Sequence, residues 1–343
     1  MDFITIIKYA WLSFDASREI KEVVDLSAMV STNHVYRVKF TDNTFIIAKL
    51  SHFGVYEYFA EDHNIIHVLG NNLEAPFQNF LARSLIKDNQ LFFHRFKTEK
   101  VDIWVVFYLP ISVKQKMPRR LNEEQIRILG SEIAHFHKAC DRIKNTLPKS
   151  SKTLSMDIIQ FEQMLEDNET VGEFLPQRDL LLRHCEAFKE SRLRNNFDRL
   201  EKIPVFTDWN IGNFSVNSKY KLFSRWDYDW FRVTTRVMDF YFLSRVVSDI
   251  GDRTVFTYNV QTLMEERFMI FLEEYHKVFP LTDVEIFCIK ETYRFFLLNY
   301  VVKNGKHFFR PAFKESLQHD VFTRHLQEID NFDPYYIIKR LKI

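Results

Sequence analysis

The chain of 343 residues is poor in cysteine and has almost no net charge. Its three cysteines, Cys140, Cys185 and Cys288, lie too far apart to suggest a disulfide framework or a metal site. We therefore expect a reducing compartment, the cytoplasm. The 47 basic and 46 acidic residues leave a net charge of +1, which gives no reason to expect a nucleic acid as a partner.

Long apolar runs and glycines are also scarce. No run reaches the length that spans a bilayer, and residues 1–20 lack the basic start and long apolar core of a signal peptide, so we expect no membrane as a partner. Only 7 glycines occur, and none lies where a glycine-rich phosphate loop would be expected. What the chain does have is a hydrophobic content of 46%, enough for a sizeable core in two domains or one two-lobed unit.

A pattern of polar residues marks residues 205–241. Asp208 and Asn213 lie five positions apart, in the run Asp-Trp-Asn-Ile-Gly-Asn. A polar turn at residues 217–220 separates two short apolar segments, which predicts a tight hairpin. The second strand of that hairpin leads to Asp227, and Asp229 follows two positions later.

These residue types suit phosphoryl transfer. A γ-phosphate in transit carries spread negative charge, so its catalysis depends mostly on positioning and on Mg²⁺. Mg²⁺ prefers hard oxygen ligands, which Asp227 and Asn213 can supply. Asp208 can accept a hydrogen bond from a substrate hydroxyl and orient it. An isolated Asp-x4-Asn is common by chance and carboxylates often cap turns, so the prediction depends on the whole set in this order.

The stretch resembles the aminoglycoside phosphotransferase and choline kinase superfamily, the small-molecule branch of the protein-kinase-like fold. Its Asp-x-x-x-x-Asn loop matches Asp208 and Asn213. Its metal-binding Asp matches Asp227, and the acidic residue common two positions later in choline and ethanolamine kinases matches Asp229. A structural Asp of the family matches Asp239. The resemblance implies that Asp208 is the catalytic residue, and that Asn213, Asp227 and Asp229 bind the metal ion.

The chain departs from the family pattern at Phe206. The family usually has His two residues before the catalytic Asp, and this chain has Phe. Because that His mainly supports the loop, the departure bears on the geometry of the loop more than on its chemistry.

The segment at residues 27–34 matches the family's nucleotide-covering loop. It has no glycine, and Ser31, Thr32 and Asn33 take that place. The resemblance implies that these three residues contact the nucleotide. An ordinary hairpin connection is the alternative.

Lys49 ends an apolar strand, where the family has a basic residue that contacts the α- and β-phosphates. In the family a Glu on the next helix pairs with this residue. Residues 56–69 show the apolar periodicity of that helix, and Glu61 is the better match for the Glu, with Glu57 as the alternative. Taken alone, the pattern favours a surface Lys and a solvated Glu, and the pair is predicted only together with the residues from Asp208 to Asp227.

The apolar pattern predicts five strands before Pro110, at residues 35–40, 45–50, 81–86, 91–96 and 101–109. Helical periodicity follows, with capping boxes at Asn122-x-x-Gln125 and Thr282-x-x-Glu285. We therefore expect an α+β, protein-kinase-like fold. A mainly antiparallel, five-stranded N-lobe would cover residues 1–109 and a mainly helical C-lobe residues 110–343.

The resemblance implies an ATP- and Mg²⁺-dependent kinase that phosphorylates a hydroxyl of a small molecule. Choline, homoserine, an amino sugar or another sugar all remain open as acceptors, and the sequence does not indicate an oligomeric state. The alternative is a kinase-like module without turnover that senses nucleotide or binds a partner. Phe206 and the missing glycines favour that alternative, and the complete set of carboxylates opposes it.

Overall fold

The computed structural model describes residues 2–28, 33–249 and 257–343. The first part of the chain forms a helix, a sheet and a second helix. Its elements are α1 (Phe3–Phe14), β1 (Ile20–Asp25), β2 (His34–Phe40), β3 (Phe45–Ser51), α2 (Tyr56–Asn72), β4 (Ile86–Lys87), β5 (Gln90–Leu91), β6 (Phe93–Lys97) and β7 (Asp102–Tyr108).

The remainder is mainly helical, with two small strand pairs. Its elements are α3 (Glu123–Ile143), α4 (Leu154–Glu166), α5 (Arg178–Arg194), β8 (Ile203–Val205), β9 (Phe214–Val216), β10 (Leu222–Arg225), β11 (Arg232–Thr234), α6 (Phe240–Val247), α7 (Glu266–Val278), α8 (Asp283–Phe295), α9 (Gly305–Phe308), α10 (Pro311–Asp320), α11 (Leu326–Glu328) and α12 (Pro334–Leu341). Helix α8 continues directly into a π-helix at Phe296–Lys303.

The five-stranded antiparallel sheet has the order β1-β2-β3-β7-β6. Alternate side chains of a strand point to opposite faces. One face packs against α1, with Trp11 against Phe40 and Phe107. Val106 belongs instead to the large core that α2 shares with the helical part. This two-sided packing fixes β3 and β7 at the base of the cleft between the sheet and the helices.

The predicted fold class is confirmed, but one predicted strand is wrong. The sheet has five strands, as predicted, but one of them is Ile20–Asp25, which pairs with β2. Residues 81–86 are not a strand of this sheet. Within 81–86, Leu81 and Ser84 form only isolated bridges, to Arg225 and Tyr108. This segment bridges the sheet and the hairpin β9–β10 because its backbone groups bond to both. The edge strand β1 has mostly exposed or half-buried side chains, so it carries little of the apolar pattern that marks a strand.

The helical part begins at a confirmed capping box. The Asn122 side chain accepts a hydrogen bond from the backbone N–H of Gln125, whose side chain accepts one from the N–H of Asn122. Helix α3 then runs beneath the sheet and packs along α7, where Gly130 lies close to the backbone of Phe271. None of the helices in the described ranges is both long enough and apolar enough to span a membrane.

Candidate active site

The loop that carries Asp208 is fixed at its start by a buried carboxylate. Asp239 Oδ1 accepts hydrogen bonds from the backbone N–H groups of Phe206 at 3.0 Å and Thr207 at 2.6 Å. Its Oδ2 lies 2.9 Å from His137 Nε2, and the other ring nitrogen of His137 lies 2.8 Å from the Tyr275 hydroxyl. Asp239 and His137 have no solvent exposure. A buried carboxylate that bonds two consecutive backbone donors fixes the loop before any ligand is bound.

Asp208 and Asn213 lie together at the end of this loop. The preceding residue, Thr207, has a left-handed backbone, with φ of 58°. Asp208 Oδ2 accepts a hydrogen bond from Asn213 Nδ2 at 2.8 Å, and its Oδ1 accepts one from the backbone N–H of Asn210 at 3.1 Å. Arg225 donates to the carbonyl of Asp208 at 2.9 Å. The side-chain oxygens of Asp208 are thus held in place by neighbours within its own loop.

Phe206 is part of an aromatic layer below the loop. Its ring packs against Tyr228 and Phe231, with centroids 5.8 Å and 5.3 Å away. The Arg225 guanidinium lies 4.5 Å from the Phe206 ring and 4.4 Å from the Trp209 ring. Phe206 cannot donate a hydrogen bond from its side chain. The polar support of this loop comes instead from Arg225 and from the buried Asp239.

Asp227 and Asp229 follow the hairpin β9–β10, which has the predicted antiparallel pairing. Asp227 has φ of 68°, a conformation that costs a non-glycine residue on the order of 1–3 kcal/mol and is concentrated at functional sites. Lys49 Nζ lies 2.9 Å from Asp227 Oδ1 and also contacts Asp229 Oδ1. Asn33 donates to Asp229 Oδ2 at 2.6 Å and accepts a hydrogen bond from Ser51 at 2.9 Å. We call Lys49, Asp227, Asp229 and Asn33 the carboxylate cluster.

The three charges of the carboxylate cluster shift one another's pKa values. Burial alone would lower the pKa of Lys49, but the two carboxylates more than offset it and the pKa is raised. Burial opposes ionisation of Asp227 as well, yet Lys49 lowers its pKa. Burial and the neighbouring Asp227 raise the pKa of Asp229 to about 6. One cation therefore compensates two carboxylates, and Asp229 is the less well compensated of the two.

The arrangement fits Mg²⁺ at Asn213 and Asp227 better than at Asp229. Asn213 donates through its nitrogen, which leaves its Oδ1 for a metal ion, and 37% of the Asp227 side chain is exposed to the cleft. Both oxygens of Asp229 are bonded, to Lys49 and to Asn33. In the parts of the chain that the structure describes, no three or more His, Cys, Asp or Glu side chains form a metal-binding group. Mg²⁺ at nucleotide sites typically uses one or two carboxylates, phosphate and water, so a fuller protein cage is not required.

A cavity of about 620 Å³ opens beside these residues, between the sheet and the helical part. Its polar end is lined by Lys49, Asn213 and Asp227. Most of the remaining wall is apolar and comes from both sides of the cleft, including Val35, Ile47, Ala82, Tyr108, Ile111 and Trp226. An apolar slot that ends in a cation, an amide and a carboxylate can hold a flat base at one end and phosphates at the other.

The predicted pair of Lys49 and Glu61 is not formed. Glu61 accepts hydrogen bonds from the Ser150 hydroxyl at 2.9 Å and from the backbone N–H of Ser151 at 2.7 Å. The alternative, Glu57, pairs with Arg95 at 3.0 Å. Lys49 is bonded to Asp227 and Asp229 instead.

His63, two positions after Glu61, lies on the side of α2 that faces the carboxylate cluster. It contacts the Tyr108 hydroxyl, and burial, with a further contribution from Lys49, lowers its pKa to about 3. His63 is therefore neutral, and because an imidazole is never an anion it cannot replace Glu61 as a counter-charge to Lys49. Of the predicted nucleotide loop, Asn33 lies in the carboxylate cluster, while Ser31 and Thr32 fall outside the described residues.

Sequence reasoning missed the part that Arg225 and His137 play in the site. Arg225 lies two residues before Asp227, so on a strand both would face the same side, and an Arg inside an apolar strand was a usable signal. No local pattern could have linked His137 to Asp239, because 102 residues separate them.

No protein-family model matches the chain, and no curated protein matches its sequence. Solved structures do match. An amicoumacin kinase in complex with AMP-PNP and Ca²⁺ is 13% identical, with 98% of this chain and 97% of that chain covered and a TM-score of 0.63. A microcompartment-associated aminopropanol kinase is 14% identical, with 98% of both chains covered and a TM-score of 0.62. The GDP complex of an aminoglycoside 2'-phosphotransferase-IIIa is 13% identical, with 96% and 99% covered and a TM-score of 0.55. The chain therefore has the fold of the aminoglycoside phosphotransferases and related small-molecule kinases.

Proposed function

We propose that the protein is an ATP- and Mg²⁺-dependent phosphotransferase that acts on a hydroxyl group of a small molecule. One observation carries this proposal. Lys49, Asp227 and Asn213, which is hydrogen-bonded to Asp208, line the polar end of a cavity large enough for a nucleotide. The similar structures include an amicoumacin kinase and an aminopropanol kinase, and two of the complexes contain AMP-PNP or GDP.

Each residue has a role in the proposed reaction. Asp208 orients the acceptor hydroxyl and takes its proton as the oxygen bonds to the γ-phosphorus. The bond from that phosphorus to the β–γ bridging oxygen breaks, and ADP leaves with the electron pair. Asn213 and Asp227 hold Mg²⁺, which when bound offsets the charge on the phosphates. Asp229 lies at the same end of the site, and bound nucleotide draws Lys49 away from it toward the phosphates.

The remaining sequence predictions fit this proposal and are kept with it. Ser31, Thr32 and Asn33 would cover the nucleotide from above. We place the boundary between the lobes after Leu109, because β7 ends at Tyr108 and Leu109 lies in the wall of the nucleotide cavity. A cytoplasmic location stays a prediction from the sequence.

The proposal is tested by nucleotide binding and turnover. Titration calorimetry with ATP, ADP and GTP, with and without Mg²⁺, should show Mg²⁺-dependent binding of ATP. A screen of amino alcohols, sugars, amino sugars and hydroxy acids should then give a phosphorylated product with wild-type protein and not with Asp208→Asn. Nucleotide binding without turnover on any acceptor would favour the kinase-like module instead, and absence of nucleotide binding would exclude the phosphotransferase and the nucleotide-sensing module, leaving a module that binds a partner.

A further inference from the structure

A second cavity, of about 360 Å³, lies on the other side of the carboxylate cluster from the nucleotide cavity. Two members of the carboxylate cluster, Asn33 and Asp229, form part of the wall of this second cavity. The rest of the wall includes Asp62 on α2, Asp157 on α4, Arg232 on β11, and the π-helix up to Lys303. We call this space the α2–α4 cavity. It begins at Asp229, two residues after Asp227, and so adjoins the end of the site where a γ-phosphate would lie.

The carboxylates in the wall of the α2–α4 cavity already have cations. Asp62 contacts Lys152, Asp157 Oδ2 lies 2.6 Å from Arg232 Nη2, and Asp229 is paired with Lys49. A ligand with several ammonium groups would have to displace these cations. Within the described residues, two buried carboxylate oxygens accept no hydrogen bond, Asp62 Oδ1 and Asp157 Oδ2, and of these only Asp157 Oδ2 is in an ion pair, with Arg232.

Arg232 has bonding capacity to spare. It is nine-tenths buried, with 7% of its side chain exposed. Its Nε donates to the Tyr300 hydroxyl at 2.7 Å and its Nη2 pairs with Asp157, but its Nη1 has no partner among the described residues. A buried guanidinium nitrogen without an acceptor is costly, so the site favours a ligand that supplies one.

Lys303 supplies a second cation without a carboxylate partner. Its Nζ donates to the carbonyl of Asp157 at 3.0 Å and lies 3.4 Å from Gln160 Oε1, and no acidic side chain in the described ranges lies within 4.0 Å of it. Burial lowers the pKa of Lys303, which is the expected effect on a cation that lacks a full counter-charge. Arg232 and Lys303 thus offer their charge to the same cavity.

We propose that the α2–α4 cavity binds the acceptor, and that the acceptor carries a carboxylate beside the hydroxyl that is phosphorylated, as in a hydroxy acid or hydroxy amino acid. The inference rests on the proposed phosphotransferase function and narrows its substrate. Arg232 and Lys303 bind the carboxylate, Arg232 through Nη1, the one guanidinium nitrogen that Tyr300 and Asp157 leave without an acceptor among the described residues. Where the acceptor also has an amino group, Asp62 Oδ1 accepts a hydrogen bond from it.

The test uses matched acceptors that differ only in the carboxylate. Homoserine is compared with 3-amino-1-propanol, and glycerate with glycerol, by kcat/KM at saturating ATP and Mg²⁺. We expect the carboxylate member of at least one pair to be favoured tenfold or more. A preference for the members without a carboxylate, or for an aminoglycoside, would overturn the inference and leave the proposed phosphotransferase function intact.

A variant pair assigns the preference to the cavity. Lys303→Met should raise KM for the carboxylate acceptor tenfold or more with little change in kcat, and should leave KM for the matched acceptor without a carboxylate unchanged. Lys306→Met is the control, since Lys306 is exposed and does not line the cavity. If KM changed equally for both acceptors, Lys303 would act on folding or on the loop that carries Asp208. That result would contradict the assignment of the carboxylate preference to the α2–α4 cavity.

A binding measurement separates failure of this inference from failure of the proposed function. Thermal shift with homoserine and glycerate, in the presence of ADP and Mg²⁺, should stabilise wild type and not Lys303→Met. If the protein binds ATP with Mg²⁺ but neither carboxylate stabilises it or is phosphorylated, the inference alone is wrong. If it binds no nucleotide, the proposed function fails, and with it the inference.

Discussion

Asp208 and the carboxylate cluster lie in the same cleft but are held by different kinds of interaction. Asp208 bonds to Asn213 and to the backbone of its own loop, and Asp239 bonds the two backbone N–H groups just before it. The carboxylate cluster joins groups from distant parts of the chain, Lys49 with Asp227 and Asp229, through charge. The loop that carries Asp208 is thus held in place without a ligand, whereas the carboxylate cluster contains an ion pair with which, in the proposed function, a metal ion and a nucleotide would compete.

The loop that carries Asp208 and the carboxylate cluster would therefore contribute to the proposed reaction in different ways. A preorganised loop requires no rearrangement when the acceptor arrives, which is the condition under which hydrogen-bonding groups stabilise a transition state best. In the proposed function the carboxylate cluster would exchange its partners, because Mg²⁺ at Asp227 and phosphate near Lys49 would replace an ion pair that already exists. Variants of the carboxylate cluster should therefore affect binding, and variants of the loop should affect chemistry or folding.

The largest effect is expected from Asp227→Ala. Among the described residues, removing the exposed carboxylate leaves Asn213 as the only well-placed protein ligand for Mg²⁺, since Asp229 has both oxygens bonded. Mg²⁺-dependent nucleotide binding and turnover should both be lost, as measured by calorimetry and by ADP release. Asp88→Ala, in a turn between β4 and β5, is the matched control. Normal turnover of a folded Asp227→Ala protein over a wide range of Mg²⁺ concentrations would exclude Asp227 as a ligand.

Asp208→Asn should separate chemistry from binding. The amide keeps the shape and one acceptor oxygen but loses the charge that receives the proton. General-base assistance is typically worth about 10² to 10⁴-fold, and we expect a loss of that size in kcat with ATP·Mg²⁺ affinity nearly unchanged. Until an acceptor is known, slow ATP hydrolysis can be measured instead. Equal activity of Asp208→Asn and wild type on a confirmed acceptor would show that the catalytic assignment is wrong.

Asp239→Ala should act on stability. The substitution leaves two buried backbone N–H groups and His137 without their partner, and removing one member of a buried bonded pair costs about 3–5 kcal/mol. Urea unfolding should therefore show a large fall in the free energy of unfolding. Asp249→Ala, at a half-exposed carboxylate that pairs with Arg120 at 2.8 Å and with Arg267 at 3.6 Å, should lower it by clearly less than Asp239→Ala. Similar stabilities of the two variants would contradict the role of Asp239 as the anchor of the loop.

The sequence could predict those parts of this arrangement whose residues lie close together along the chain. The capping boxes at Asn122 and Thr282 and the hairpin before Asp227 were predicted correctly, because each depends on residues a few positions apart. The pairing of β1 with β2 was missed, since an exposed edge strand has little apolar periodicity. The hydrogen bond from Asn33 to Asp229 joins residues 196 positions apart and has no local signal.

The error at Glu61 has a similar cause. Successive residues of an α-helix are rotated by about 100°, so the sequence must fix the rotation of α2 to within one residue before a partner for Lys49 can be named. That rotation is decided by packing. Ile65, Ile66 and Leu69 face the core, which turns His63 toward the carboxylate cluster and Glu61 toward Ser150.

Lys49→Met tests whether the ion pairs of the carboxylate cluster matter before nucleotide binds. Loss of the cation leaves two neighbouring carboxylates uncompensated, but the exposure of Asp227 screens part of the repulsion, so we expect a loss of about 1–2 kcal/mol in stability. Nucleotide affinity should fall tenfold or more. Mg²⁺ alone should stabilise this variant more than wild type, because it replaces the missing charge.

The control for Lys49→Met is Lys39→Met, which breaks only the exposed pair with Glu22. It should change neither nucleotide affinity nor the response to Mg²⁺. Unchanged nucleotide affinity in Lys49→Met, together with a large loss of stability, would make Lys49 a structural residue and remove it from the nucleotide site.

The smallest effect is expected from Glu61→Ala, and it bears directly on how the carboxylate cluster is built. Glu61 bonds to Ser150 and Ser151 and not to Lys49, so its removal should cost only about 0.5–1.5 kcal/mol of stability from the lost hydrogen bonds. Nucleotide affinity and kcat should stay within about twofold of wild type. Ser150→Ala, which removes one of the same hydrogen bonds from the other side, should give a similar or smaller loss of stability, and the double variant should show that the two changes are not additive. A tenfold loss of ATP affinity in Glu61→Ala but not in Ser150→Ala would mean that Glu61 leaves Ser150 and pairs with Lys49 when nucleotide binds. In that case the carboxylate cluster would exchange partners on its N-lobe side as well, and Lys49 would be held by α2 during the reaction.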